Sequence, residues 1–381
     1  MQHQTQHQPA SIQLVPATRS HLEALLQIEQ RSFVTNLISR RSFQRFIEQG
    51  IGDFTVALDE QQVVGYALVL YRRATELARL YSHAVHPDYR GKGIGKLLLQ
   101  QAEADANARH CLMMRLEVKT DNHAGIQFYH QAGYVDLEIR PEYYDDESDA
   151  LVLQKLLPRY MANENALAAP KMVPYLTQTT DFTCGPASLL MAMAHFDIPS
   201  TDPQHEELEI WREATTIFMT SGHGGCGPHG LARAAHKRGL GAEVYVSEAG
   251  PLLMDSVRSA EKKAIMERIQ QADIAALERA KVPIHVGDYS LAQLQDDLQH
   301  GKLVLALIST YVFDESKAPH WVLICAADEY YIYINDPDQD TLPWQSPPGR
   351  QYLHIPLATF RRAFGYGKRK QRAVVVLSPP K

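Results

Sequence analysis

Glutamine, cysteine, histidine and aspartate are the side chains of an acyl-transfer site, and the second half of the chain carries them in an order that could be assembled. The stretch VPYLTQTTDFTCGPASLLMAMAHF, residues 173–196, places Gln178 six residues before Cys184. Pro186 suits the first turn of a helix, where its missing N–H costs nothing, and Leu189, Met193 and Phe196 recur at helical spacing. Cys184 is therefore expected at a helix start, where orphan backbone N–H groups and the helix dipole favour a thiolate. Gln178 can offer a side-chain N–H to an oxyanion. A thiolate nucleophile needs a base, and the base needs an orienting group. KLVLALIST (302–310), HWVLICAA (320–327) and YYIYIN (330–335) read as successive strands. His320 opens the second and Asp336 closes the third, so an antiparallel pair turning at Asp328-Glu329 would bring His320 beside Asp336.

A rival nucleophile stands in SGHGGCGPHG, residues 221–230, which holds a second Cys-Gly-Pro at Cys226. It lacks the upstream glutamine, because position 220 is Thr220. Its glycines read as substrate-facing backbone that another chain can approach closely. His223, Cys226 and His229 could instead bind zinc, but a fourth ligand is missing, so no metal is expected.

The order Gln, Cys, His, Asp is that of papain-like folds. More narrowly, the Gln-x5-Cys-Gly-Pro-Ala box, the histidine at a strand start and the Asp-Pro at the next strand's end resemble the double-glycine leader peptidases and their stand-alone relatives. The resemblance runs from about Val173 to Pro379. It implies a papain-like cysteine peptidase with the cysteine helix packed on an antiparallel sheet and a narrow cleft suited to small side chains. Cys184 would attack the scissile carbonyl, His320 would accept and return the proton, Asp336 would orient His320, and Gln178 would steady the oxyanion. Two other outcomes stay open: a module that binds peptide without cutting it, and an acyl transferase that passes the thioester to an amine.

The first half carries a different box, AVHPDYRGKGIGKLLL, residues 84–99. A strand runs into a turn with Gly91, Gly93 and Gly95, then into a helix whose Ile94, Leu97, Leu98 and Ala102 share a face. Glycines allow close backbone approach and successive N–H groups at a helix start form an anion nest, so a phosphate or pyrophosphate is expected there. The spacing is neither the dinucleotide fingerprint nor a Walker box. CLMMRLEV (111–118) reads as a buried strand, and NHAGIQFYHQ (122–131) as a helix with an Asp-Asn cap.

Arg90-x-x-Gly-x-Gly, Leu116-Glu117-Val118, Asn122, Phe128-Tyr129 and Ala132-Gly133-Tyr134 together are similar to the GNAT acetyltransferases. Arg140-x-x-Tyr143-Tyr144 and Asp149-Ala150 resemble the ribosomal-protein-alanine acetyltransferase branch, over about Ser11 to Leu157. The resemblance implies acetyl-CoA as cosubstrate, held by Val85, Arg90, Gly91, Lys92, Gly93, Ile94, Gly95, Lys96 and Asn122. It also implies Glu117 as the base for an attacking amine and Tyr129 as the acid for the departing thiolate. Gly125 departs from the family, which commonly has a better helix former there.

These groups need elements to hold them. In the first half, a strand at 12–15, helices at 20–33 and around Phe43 to Ile47, and three strands at 54–58, 63–71 and 78–85 precede the glycine turn. The second half adds helices at 227–238 and within 252–281, strands at 243–246 and 282–286, a helix capped by Ser290, and a final AVVVL strand. PRYMANENALAAP, residues 158–170, lacks a sustained pattern. The expected organisation is α/β (α+β) with two domains. Residues 1–10 form a disordered tail, 11–157 a GNAT mixed sheet flanked by helices, 158–172 a linker, and 173–381 the papain-like domain.

Composition narrows the classes. The 381 residues are 45% apolar and 22% charged with a net charge of -6, which makes no general case for nucleic acid. Cysteines 111, 184, 226 and 325 are too few and scattered for a disulfide framework, so a reducing cytoplasm is expected. MQHQTQHQPA is not a signal peptide, and the apolar runs are strand-length, so no membrane span is expected. Expected partners are acetyl-CoA and a peptide or protein. Arg361, Arg362, Lys368, Arg369, Lys370 and Arg372 read as a solvated turn guarding an edge strand, or as a contact for ribosome or acidic peptide. Oligomeric state is not legible.

Overall fold

The computed structural model describes residues 12–72, 74–157, 173–216, 224–254, 257, 259–314, 318–338, 350–367 and 369–380. The expected tail and linker, His223 and Lys368 lie outside the described residues. The chain divides into two compact units: Met1–Arg72 with Glu76–Glu164, and Arg73–Thr75 with Asn165–Lys381.

The first unit is a seven-stranded sheet. Its elements are β1 (Gln13–Pro16), α1 (Leu22–Ser32), α2 (Arg40–Gln49), β2 (Asp53–Asp59), β3 (Gln62–Tyr71), β4 (Leu77–Val85), α3 (Ile94–Ala108), β5 (Met113–Lys119), α4 (His123–Gln131), β6 (Val135–Arg140) and β7 (Ala150–Leu156). The strand order is β1-β2-β3-β4-β5-β7-β6. β3 is buried at every residue from Val63 to Leu70, the mark of a strand covered on both faces. Helices α1 and α3 both pack on it. In α3, Ile94, Leu98 and Ala102 are buried as their spacing predicts, whereas Leu97 is exposed.

All pairings in this sheet are antiparallel except β4 with β5. That parallel pair holds only from Leu77–Arg79 opposite Met113–Arg115. β4 then continues to Val85 and β5 to Lys119, so a gap opens between their carboxyl ends. The strand expected at 111–118 starts later; Cys111 precedes it and is buried. β6 and β7 were not expected, and β6 is an edge strand with weak burial, which leaves little period-2 signal.

The second unit contains α5 (Cys184–His195), α6 (Pro203–Ala214), α7 (Pro228–Lys237), β8 (Gly241–Val246), α8 (Ala260–Arg279), β9 (Ile284–Val286), α9 (Leu291–Gln299), β10 (Leu303–Ser309), α10 (Tyr311–Asp314), β11 (Pro319–Ala327), β12 (Tyr331–Asn335), β13 (Leu353–Pro356), α11 (Leu357–Ala363) and β14 (Ala373–Ser378). Its strands run β13-β12-β11-β10-β14-β8-β9. The ladder is antiparallel except for β8 with β9, whose α8 crossover is long enough for a parallel pair. α5 packs on β10 and β11, and α7 on β8 and β14.

The edge-guarding role expected for the basic cluster fails. β14 lies inside the sheet between β10 and β8, so the arginines before it protect no edge. Arg369 pairs with Glu248 and Arg372 with Asp288 instead.

Candidate functional site

Cys184 is the first residue of α5, with Thr183 as N-cap and Pro186 in the first turn. The helix is buried from Cys184 to Met193, so its position is set by the sheet beneath it. The Trp321 backbone N–H donates to Cys184 Sγ at 3.5 Å, which ties the sulfur to β11 one residue past His320. Cys184 also acts on His320, favouring the charged form of its imidazole. His320 Nε2 meets Asp336 Oδ1 at 2.7 Å. With Nε2 so engaged, Nδ1 is the ring nitrogen left for the sulfur. Burial pulls the His320 pKa down, but Asp336 and Cys184 outweigh it, and the imidazole is held well above its ordinary value. The charged imidazolium is the favoured form.

Asp336 is itself fixed. Arg350 Nη1 donates to its Oδ2 at 2.9 Å and lies 3.1 Å from Asp338 Oδ2, and the Asp338 N–H donates to Asp336 Oδ1 at 3.1 Å. The Arg350 and Asp336 side chains are only 9% and 8% exposed, so neither charge is solvated away. Sequence reasoning missed Arg350. A lone arginine after Pro-Pro-Gly in the sequence gives no local signal of what it touches.

The segment carrying Gln178 is laced to the same strand end. The Gln178 N–H donates to the Pro337 carbonyl at 2.7 Å, and the Tyr175 hydroxyl donates to the Asp336 carbonyl at 2.8 Å. Gln178 is buried, and its Nε2 reaches Asp338 Oδ1 at 3.4 Å, a long contact that engages one of its two amide hydrogens.

Cys226 sits in a different environment. It is buried, and burial followed by the neighbouring Cys184 pushes its thiol well above the ordinary value. Its carbonyl accepts the Trp321 indole N–H at 3.0 Å, so its loop braces the strand that carries His320. His229 is buried and held neutral, its pKa pushed down to about 4 by burial. The glycines expected to face substrate include two that face their own chain: a Cβ on Gly227 would stand 2.6 Å from Thr216 Cγ2, and one on Gly230 2.7 Å from Ala214 Cα. They permit close packing on the end of α6. Among the described residues no group of three or more His, Cys, Asp or Glu could hold a metal ion.

In the first unit the glycine turn leads into α3 as expected. Gly91 and Gly93 have φ of 77° and 80°, with open space where a Cβ would be. Gly93 is the N-cap and has no side chain to cover the first N–H groups of Ile94, Gly95 and Lys96. Gly91, Lys92, Gly93 and Lys96 are exposed, while Ile94 is buried and can offer only backbone. Arg90 Nε donates to the Val85 carbonyl at 3.2 Å, and Lys92 Nζ lies 4.6 Å from the Tyr89 ring centre. Asn122 caps α4, its Oδ1 accepting the Gly125 N–H at 3.0 Å; a Cβ on Gly125 would approach Asn122 Nδ2 to 2.6 Å, so the glycine suits this cap.

Glu117 lies on β5 beyond the point where β4 and β5 part. Its Oε2 accepts from Arg79 Nε and Nη2 at 3.0 and 2.8 Å, and Arg79 also donates to the Tyr143 hydroxyl at 2.9 Å. Its buried Oε1 has no hydrogen-bond partner among the described residues. Tyr129, near the end of α4, has its pKa raised by burial. Its hydroxyl lies 3.2 Å from His83 Nδ1.

Each half thus presents an α/β scaffold carrying groups suited to chemistry at an acyl carbon. The chain belongs to the Peptidase_C39 like family, which it matches over residues 173–378, and residues 22–134 match the Acetyltransferase (GNAT) family. An uncharacterized N-acetyltransferase of Methanocaldococcus jannaschii is 36% identical over 106 residues, 28% of this chain and 67% of that protein. A ribosomal protein bS18 alanine N-acetyltransferase of Salmonella typhimurium is 28% identical over 135 residues, 35% of this chain and 88% of that one. The solved structure of a ribosomal-protein-alanine N-acetyltransferase from Brucella melitensis is similar over 38% of this chain and 99% of that one, with 25% identity and a TM-score of 0.35. GNAT acetyltransferases use acetyl-CoA as cosubstrate. The open N–H groups of α3 and the β4/β5 gap fit it: the turn can receive phosphates, and the gap can receive an extended chain.

Proposed function

We propose that the protein is a bifunctional enzyme of the cytoplasm, an acetyl-CoA-dependent N-acetyltransferase acting on a peptide or protein amino terminus and a cysteine peptidase. The peptidase reading is carried by one observation, the His320–Asp336 pair at 2.7 Å on the strand whose next residue, Trp321, donates its N–H to Cys184 Sγ. Cys184 Sγ adds to the scissile carbonyl while Gln178 donates to the oxygen that gains charge. His320 gives its proton to the leaving amine as the C–N bond breaks. It then takes a proton from water, whose oxygen attacks the thioester and frees Cys184. Asp336 keeps the imidazole oriented throughout.

In the first half, the N–H groups at the start of α3 would hold the phosphates of acetyl-CoA, with Arg90, Lys92 and Lys96 adding positive charge and Val85 and Asn122 flanking the gap. Acetyl-CoA supplies the activated acetyl group. Glu117 takes the proton from the attacking amine through Oε1, and Tyr129 supplies one to the leaving thiol. The resemblance to alanine N-acetyltransferases supports a protein amino terminus as acceptor.

Both activities can be read by mass spectrometry on one peptide series. Cleavage is expected after small residues, Gly-Gly above all, and should vanish in Cys184→Ala. Equal cleavage after bulky residues would defeat the narrow-cleft reading. Acetylation of the new amino terminus should depend on acetyl-CoA and persist in Cys184→Ala; transfer confined to unrelated small amines would defeat the acceptor reading.

A further inference from the structure

His83 belongs to none of the motifs that marked the acetyltransferase half. It stands on β4, four residues past Arg79, where pairing with β5 has ended. Its ring is turned toward two features on other elements. Nδ1 lies 3.2 Å from the Tyr129 hydroxyl on α4, and the His83 and Tyr129 ring centres are 6.2 Å apart at 56°. The opposite edge faces the first turn of α3: a Cβ on Gly95 would stand 3.7 Å from both Cε1 and Nε2. The imidazole therefore bridges the glycine turn and the helix that carries the phenol.

A tyrosine hydroxyl on an otherwise apolar ring can swing its proton around the C–O bond, so an acid needs a partner that fixes it. The other rings beside Tyr129 are Phe128 and Tyr134, with centres at 5.2 and 5.6 Å, and they contact it edge to face. Burial pushes the His83 pKa down to about 4, so at neutral pH the ring carries one N–H and one lone pair. The tautomer that serves an acid carries its hydrogen on Nδ1, which then donates to the phenol oxygen and leaves the single phenol hydrogen free for another acceptor.

We propose that His83 is the positioning residue for Tyr129, its imidazole fixing the phenol oxygen at the open end of the β4/β5 gap. This rests on the acetyltransferase reading of the first half. His83 itself transfers no proton in the step. The phenol O–H bond breaks and the leaving sulfur gains that proton, while Nδ1 holds the oxygen in place.

One test needs no acceptor. In full-length protein labelled with 15N at histidine, the ring resonances of His83 should shift between wild type and Tyr129→Phe, which removes the hydroxyl and keeps the ring. His83→Asn identifies those resonances by their loss. Unshifted His83 resonances would overturn the proposal. The kinetic test uses acetyl-CoA and a peptide with an amino-terminal alanine. His83→Leu should lower kcat by about tenfold to a hundredfold with KM for acetyl-CoA little changed, and His83→Asn, which returns a polar group near the Nδ1 position, should recover most of the loss. In a Tyr129→Phe background, His83→Leu should have little further effect, since the two act as one unit. Additive losses, or wild-type kcat in His83→Leu, would overturn it. A wild type silent on the peptide would count against the acceptor reading alone, and the spectra would still decide on His83.

Discussion

Asp336 serves two cations at once, His320 through Oδ1 and Arg350 through Oδ2. The first contact sets the titration of the site. The folded-state pKa of His320 is raised, so its contribution to stability is complete below the unfolded value near 6.5 and is lost as pH rises through the folded pKa. A reaction that needs imidazolium beside thiolate should therefore keep its activity to alkaline pH. In Asp336→Asn the alkaline limb of kcat/KM for peptide cleavage should move down by about one pH unit or more, as a lost buried charge partner requires. A limb that stays put would separate Asp336 from the site. The second contact sets order. Arg350→Met leaves Asp336 and Asp338 facing each other without their shared cation, and breaking a buried pair costs roughly 3 kcal/mol or more. Thermal melting of the variant should show that loss together with weaker cleavage.

At the scale of elements, the hairpin of β11 and β12 is what turns a separation of sixteen residues into a hydrogen bond. Its turn is clamped by Asp328. Oδ1 accepts the N–H groups of Tyr330 and Tyr331, both at 2.7 Å, and Oδ2 accepts the Tyr333 hydroxyl at 2.5 Å. The ladder is not uniform. Its register shifts between Ile324 and Ala326, so turn and bulge together decide which residues meet at the far end. Asp328→Ala removes three acceptor contacts, two of them to backbone, at a cost of about 1–3 kcal/mol. Urea unfolding should report the loss, and alkylation of Cys184 by iodoacetamide should slow as the His320 end loosens. Unchanged alkylation would show that α5 and Trp321 hold the site without help from the turn.

At the scale of the whole molecule, each unit has its own seven-stranded sheet. Among the described residues no helix is long and apolar enough to cross a membrane. Two cores imply two unfolding transitions by calorimetry. Coenzyme A at a hundred times its Kd should stabilise only the transition of the acetyltransferase unit, by about 2.7 kcal/mol. A single transition that moves as one would show that the units melt together.

The sequence by itself determined the parts with local causes. Pro186 and the spacing of Leu189 and Met193 marked the cysteine helix, the glycines at 91 and 93 marked the start of α3, and the hairpin between Ala327 and Tyr331 implied that His320 would meet Asp336. Each of these follows from backbone preference or from strand geometry within a few tens of residues. Tertiary structure decided what long-range packing selects. It placed β14 inside its sheet, brought Arg350 to Asp336, tied Glu117 to Arg79, and set His83 against Tyr129. No local rule names those partners, because a buried charge or hydroxyl takes whichever complementary group the sheet order brings within reach.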